Sequence, residues 1–412
     1  MHKPGQHKRG FIHKSVIMGR CNAGPTEGIS VLLFAIYLSF LQCFLFAGRL
    51  CPSLPLAGKR KIPLRLLIFL AVWLLSGLLA LLHAIGFVFD ELLFWRYRNI
   101  RVKATFIVGI PRSGTTWLHR VMAADKRYTS LTLWESILAP SISERYFYSA
   151  MARLLSPLGS AAGAVSAKLL ANFDAIHALR LNEPEEDFLL FAPVHGCFLG
   201  VLLCPESPYY WQFAYFDQQL SVRLRRAYMS YYQRCLQKHL FFHGANRQLL
   251  SKNPSFTPMI ESLRKQFPDA SFIACVRNPQ EAVASQLSSL QPAMKFLGYN
   301  QLSKSFCSQL TQMLRHYYQE IALKRRRELI IVDFVELCDH LEDLLIAIYR
   351  KMEQPISEEY ALELKRFSDK GRRYKSKHTY KLEQFGLKEN EISTKFKACW
   401  PFDTSIMKTI KP

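Results

Sequence analysis

Residues 104–122, ATFIVGIPRSGTTWLHRVM, decide how this chain folds. The opening ATFIV is a short apolar, β-branched run bounded by glycine, which reads as a buried strand. It runs into Gly109-Ile110-Pro111-Arg112-Ser113-Gly114-Thr115-Thr116-Trp117, after which Leu118 to Met122 favour helix. A glycine-bearing turn at a helix N-terminus aims backbone N–H groups at an anion, and the helix dipole adds partial positive charge there. The spacing Gly109-x-x-x-x-Gly114 is that of a P-loop, yet Thr115 stands where a nucleoside-triphosphatase has lysine. The cation comes earlier, on Arg112, which from within the loop can clamp two oxygens of a phosphate or sulfate. Ser113, Thr115 and Thr116 add hydroxyl donors.

Outward from this stretch, Gln248 to Ser251, Ser271 to Val276 and Leu329 to Val332 form further strand-like runs between helical stretches. That alternation predicts an α/β domain, a three-layer αβα arrangement around a central parallel sheet. Phe213 to Leu240 reads as one long amphipathic helix. Two more basic groups emerge at strand ends. Lys252 follows the 248–251 run, and a lysine there points into the crevice where open α/β sheets bind ligands. Arg277 ends the 271–276 run, and Ser285 lies eight residues on in the following helix, so a guanidinium fork and a hydroxyl could converge on one phosphate.

With these residues in view, GIPRSGTTWLHR resembles the 5′-phosphosulfate loop of the sulfotransferase superfamily, in the P-R-S-G-T-T form of its Golgi and bacterial membrane-associated branches. The resemblance covers roughly residues 104–390 and implies 3′-phosphoadenosine 5′-phosphosulfate (PAPS) as sulfuryl donor, bound by Pro111 to Trp117. It puts Arg112 on the 5′-phosphate and the transferring group, Arg277 and Ser285 on the 3′-phosphate, and Lys252 near the sulfate. The basic run Lys370 to Tyr380, followed by Leu382 to Leu387, is similar to a segment that closes over the nucleotide in bacterial relatives, implicating Lys375, Lys377 and His378.

Sulfuryl transfer needs an in-line nucleophile, positive charge at the nonbridging and leaving oxygens, and a base for the acceptor's proton. Arginine and lysine can supply the charge, so no metal is expected. Glu135 is the first choice of base, since it lies where the chain returns over the crevice after the first helix, and a glutamate at this offset serves so in several membrane-bound branches. His177 and the acids Glu183, Glu185, Glu186 and Asp187 remain candidates, the last four also reading as a helix start with Pro184 in its first turn. Glu186 stands foremost among them. Asp333 could hold Mg²⁺ in a P-loop kinase or NTPase, but that reading lacks its lysine. A membrane-tethered nucleotide-binding protein without catalysis is the third reading.

The chain has 412 residues and a formal charge of +22, an excess suited to anionic ligands or lipid headgroups; no nucleic-acid partner is expected. Its ten cysteines show no C-x-x-C or metal-like spacing and read as buried free thiols. Two apolar stretches, 29–48 and 66–89, predict transmembrane helices, separating a basic tail (1–28), a basic loop (49–65) and a sulfotransferase domain (104–412). The bilayer is then one partner and a lipid, glycan or protein acceptor the other. Lys and Arg flank every end, so the positive-inside rule does not orient the spans; a cytosol-facing domain is preferred because the nucleotide donor is at hand there, with the Golgi lumen as alternative.

Overall fold

A computed structural model describes residues 25–50, 62–155, 184–324, 329–372 and 382–400. His177, Lys375, Lys377 and His378 lie outside the described residues, as do Glu183 and the basic tail.

Two helices lead the chain, α1 (Pro25–Leu50) and α2 (Ile62–Leu93). There follow strand β1 (Ala104–Gly109), helix α3 (Thr115–Ala123), strand β2 (Tyr128–Thr129) and helices α4 (Leu133–Ile137) and α5 (Ile142–Leu155). Beyond a run of short helical turns come α6 (Val222–His243), β3 (Gln248–Lys252), α7 (Ile260–Gln266), β4 (Ser271–Val276), α8 (Pro279–Phe296), α9 (Lys304–Lys324) and β5 (Leu329–Asp333). The five strands form one parallel sheet in the order β2-β3-β1-β4-β5. β1 sits at its centre and is buried along its whole length, which is why its sequence is apolar without alternation.

Period-two geometry still divides its two faces. Phe106 and Val108 pack with α6, α8 and α9, while Ile107 packs with α3 and the helices after β5. The expected αβα layering is therefore present. The helix expected from Phe213 starts only at Val222: Leu220 is extended, and the Ser221 hydroxyl accepts the Leu224 N–H as N-cap. The cysteines described are free and, apart from Cys338, buried.

Of the two expected membrane spans, α2 alone has the length and apolarity among the described residues, from Arg65 to Leu93, with an 18-residue stretch of mean hydropathy 2.4; the apolar part of α1, Leu33–Phe46, is shorter. Both helices pack on the domain. Phe34 meets Tyr228, Phe46 meets His195, and Phe87 meets Tyr231.

Candidate functional site

All five strands point their C-terminal ends the same way, and the turns at those ends gather the basic residues read from the sequence. The loop after β1 is held by its backbone. Ile110 N–H donates to Cys275 O at 2.8 Å, and Thr257 Oγ1 bridges the N–H and C=O of Gly109 at 2.9 and 2.7 Å. Gly109 has φ 122°, and a Cβ there would lie 2.1 Å from Cys275 O, so only glycine permits this approach to β4. Gly114, the N-cap of α3, has φ 83°.

Ser113 does not offer its hydroxyl to a ligand. It is fully buried, and its single O–H lies between Cys275 O at 3.0 Å and Ile110 O, holding the turn against β4. Thr115 is buried too, whereas Arg112 and Thr116 are exposed at the positive end of α3. Pro111 and Trp117 are partly buried at the two ends of the turn.

The second basic group meets the first directly. Arg112 Nε donates to Ser285 Oγ at 3.2 Å, and Arg277 Nη1 donates to the carbonyl of Arg112 at 3.2 Å. Pro279 at N1 and the Asn278 cap start α8 where β4 ends, which carries Ser285 back to the loop. Arg277 also pairs with Glu281 at 2.6 Å and lies 4.3 Å over the Phe334 ring.

From the other neighbour of β1, Lys252 extends its Nζ to 3.5 Å from Thr116 Oγ1, 3.0 Å from Glu186 and 3.9 Å from Glu185. The lysine is 2% exposed, while Glu186 stays partly open. Asp187 explains how the acidic segment reaches this place. It accepts hydrogen bonds from Ser251 at 2.9 Å and from Tyr232 and Asn253, so it pins residues 185–188 to the end of β3. Burial pushes the Asp187 carboxyl up to about 6, against the pull of these donors. Sequence reading missed this tether, because only the fold brings Ser251 and Asn253 beside it.

Glu135, expected as the general base, lies in a buried polar cluster of its own. It closes the capping box of α4: its Oε2 accepts from Thr132 N–H at 3.0 Å and Thr132 Oγ1 at 2.9 Å. Its Oε1 meets His243 Nε2 at 2.5 Å, with Arg145 Nε and His239 Nδ1 each 3.7 Å away. Burial would raise its pKa, but the two imidazoles and the guanidinium outweigh that and hold the carboxyl well below the usual range. At 1% exposure the carboxylate is enclosed by these partners, of which His243 alone is partly open. Glu135, His239 and His243 offer three potential ligand atoms, one carboxylate and two imidazoles, within 4.8 Å of one another, with the Arg145 guanidinium 3.7 Å from the carboxylate.

A cavity of 560 Å³ lies between Ala124–Arg127 and 355–367, at the C-terminal end of α3. The chemistry is better located by the converging side chains than by cavity size.

Residues 104–358 match the family described as Sulfotransferase family. The chain belongs to it. Among solved structures, this sulfotransferase is similar to STF9 from Mycobacterium avium, with 18% identity, TM-score 0.61 and coverage of 76% of this chain and 80% of that one. It is also similar to STF1 from Mycobacterium tuberculosis, with 17% identity, TM-score 0.61 and coverage of 91% and 92%. At such identities the likeness shows a shared fold. No curated protein matches in sequence.

Proposed function

We propose that this sulfotransferase moves a sulfuryl group from PAPS to a hydroxyl or amine of a lipid, glycan or protein acceptor, with catalysis in residues 104–412 and Glu186 as general base. The carrying observation is that Lys252 stands 3.0 Å from Glu186 and 3.5 Å from Thr116, beside the exposed Arg112.

A phosphosulfate suits these residues. The turn at Gly109 is too narrow for any Cβ, Arg112 and Thr116 open at the positive end of α3, and Arg277 and Ser285 offer a second anion contact. The donor, when bound, supplies an electrophilic sulfur on a phosphate leaving group. Arg112 would neutralise charge on the nonbridging oxygens, and Lys252 would supply positive charge to the phosphate that takes the electron pair when the bond to sulfur breaks. Glu186 takes the proton that the acceptor sheds as its new bond to sulfur forms. The pair with Lys252 aims Glu186, and adenosine 3′,5′-bisphosphate is the other product.

The test compares two isosteric variants. Glu186→Gln should keep adenosine bisphosphate affinity within about twofold while lowering transfer of radiolabelled sulfate to a membrane extract about a hundredfold. Glu135→Gln should lower melting temperature while retaining most turnover per folded molecule. The reverse pattern, full activity in Glu186→Gln and none in folded Glu135→Gln, would return the role of base to Glu135.

A further inference from the structure

We infer that α1, α2 and α5 together form a docking face for one leaflet of an anionic lipid bilayer, on which α2 lies in the membrane plane instead of crossing it. The inner side of α2 sets Arg65, His83 and Asp90 among the apolar Phe69, Ala80 and Phe87, and the polar three tie the helix down along its length. At the start, Arg65 Nη2 donates to Tyr299 Oη at 2.6 Å, with its guanidinium 4.1 Å from the Tyr299 ring. Gly298 presses so closely on the arginine stem that a Cβ there would lie 2.7 Å from its Cγ. Further along, His83 bonds Glu144 at 2.6 Å and the carbonyl of Ile137 at 3.1 Å. Near the end, Asp90 accepts the N–H groups of Ile142 and Ser143 at the start of α5, at 2.9 and 2.8 Å, and pairs with Lys238 of α6 at 3.0 Å.

From Arg65 to Asp90 these contacts extend along about 38 Å of helix axis at 1.5 Å per residue, more than a bilayer's hydrocarbon thickness of about 30 Å. A helix perpendicular to the membrane and held this way would drag the catalytic domain into the hydrocarbon. Exposed charges beside it, such as Lys295 at one end and Arg153 on α5, would go with it, at a cost of several kcal/mol each. Lying flat, α2 keeps every one of these bonds.

Its outer side has the complementary character. Leu67, Leu70, Leu74, Leu78, Leu81 and Ile85 are 47–66% exposed, and α5 beside it adds Phe147 and Leu154 at 61% and 73%. The polar groups in this part of α2 are already used inward: Trp73 Nε1 donates to Cys43 O on α1 at 2.9 Å, and Ser76 Oγ donates to Trp73 O. A protein partner would find nothing on the stripe to hydrogen-bond, unlike a usual interface with its polar rim; hydrocarbon needs nothing. Aromatic and cationic residues bracket the stripe, Phe296 and Lys295 at the Arg65 end and Trp95 and Arg96 at the other, the pairing favoured at a headgroup boundary. Arg49, Lys59, Arg60 and Lys61 in the intervening sequence add charge suited to anionic lipid.

The experiment uses the full chain with Cys21, Cys51 and Cys338 replaced by serine, bound to vesicles of phosphatidylcholine and phosphatidylserine. A nitroxide is attached in turn through Leu67→Cys, Leu78→Cys and Leu92→Cys, and its depth is read from collisions with oxygen and with a water-soluble nickel chelate. Equal, shallow depth at the three positions is the expected result. A profile deepest at Leu78, with Leu67 and Leu92 near opposite headgroup layers, overturns the inference in favour of a spanning helix. No oxygen-rich environment, together with concentration-dependent dimers in detergent, overturns it in favour of a second copy. In parallel, Leu70→Glu with Leu78→Glu should lower vesicle flotation about tenfold or more with melting unchanged; undiminished flotation of the folded variant counts against the stripe as the contact.

Discussion

Arg112 is one of three non-glycine residues with positive φ among those described, at 68°. That conformation costs an L-residue about 1–2 kcal/mol, and the turn retains it through Ile110, Ser113 and Thr257, which bind the loop to its neighbours. In this conformation the exposed guanidinium reaches Ser285 while the carbonyl behind it receives Arg277. Glycine would relieve the strain and remove the charge. Arg112→Gly should therefore raise or preserve thermal stability yet weaken adenosine 3′,5′-bisphosphate binding about a hundredfold, the scale of a lost charge-assisted fork. Calorimetric titration against the parent protein measures this, and unchanged affinity would remove Arg112 from the donor site.

Asp187 works at the scale of elements, joining the acidic segment to the end of β3. Its folded pKa of about 6 lies above the ordinary 3.8, so between these values the folded chain holds a proton that the unfolded chain has released. Its contribution to stability is fully present below about pH 4 and is lost as pH rises through about 6. Chemical denaturation across this window should show the decline in the parent and a flatter profile in Asp187→Asn. The same variant should loosen residues 185–188 and so lower turnover while sparing donor affinity. At the other end of the molecule Asp90 joins α2, α5 and α6; Asp90→Ala leaves Lys238 buried without its carboxylate and should cost about 3–5 kcal/mol in unfolding free energy.

For the whole molecule, a formal charge of +22 raises the local concentration of anions around the site. Affinity for adenosine 3′,5′-bisphosphate should fall about tenfold or more as salt rises from about 0.05 to 0.5 M; a flat response would confine recognition to buried contacts. The three basic motifs lie far apart in sequence, at Arg112, Lys252 and Arg277, and meet because β3, β1 and β4 are adjacent and parallel. Their C-terminal ends have to share one edge, where such sheets bind ligands.

Local chemistry was enough for the α/β class, the four longer strands and the glycine-bearing turn between β1 and α3, since apolar runs and glycine spacing act over a few neighbouring residues. β2 escaped notice because Tyr128–Thr129 is too short to show periodicity. The fate of each carboxylate needed the fold. Glu135 and Glu186 are alike in the sequence, and packing alone sets one under Thr132, His243 and Arg145 and the other against Lys252. Likewise, the length of an apolar run says that a helix could cross a membrane, whereas its orientation follows from Arg65, His83 and Asp90, whose partners come from elements 61, 52 or more residues away. Proton affinity and burial are properties of surroundings, and surroundings exist only once distant segments have packed together.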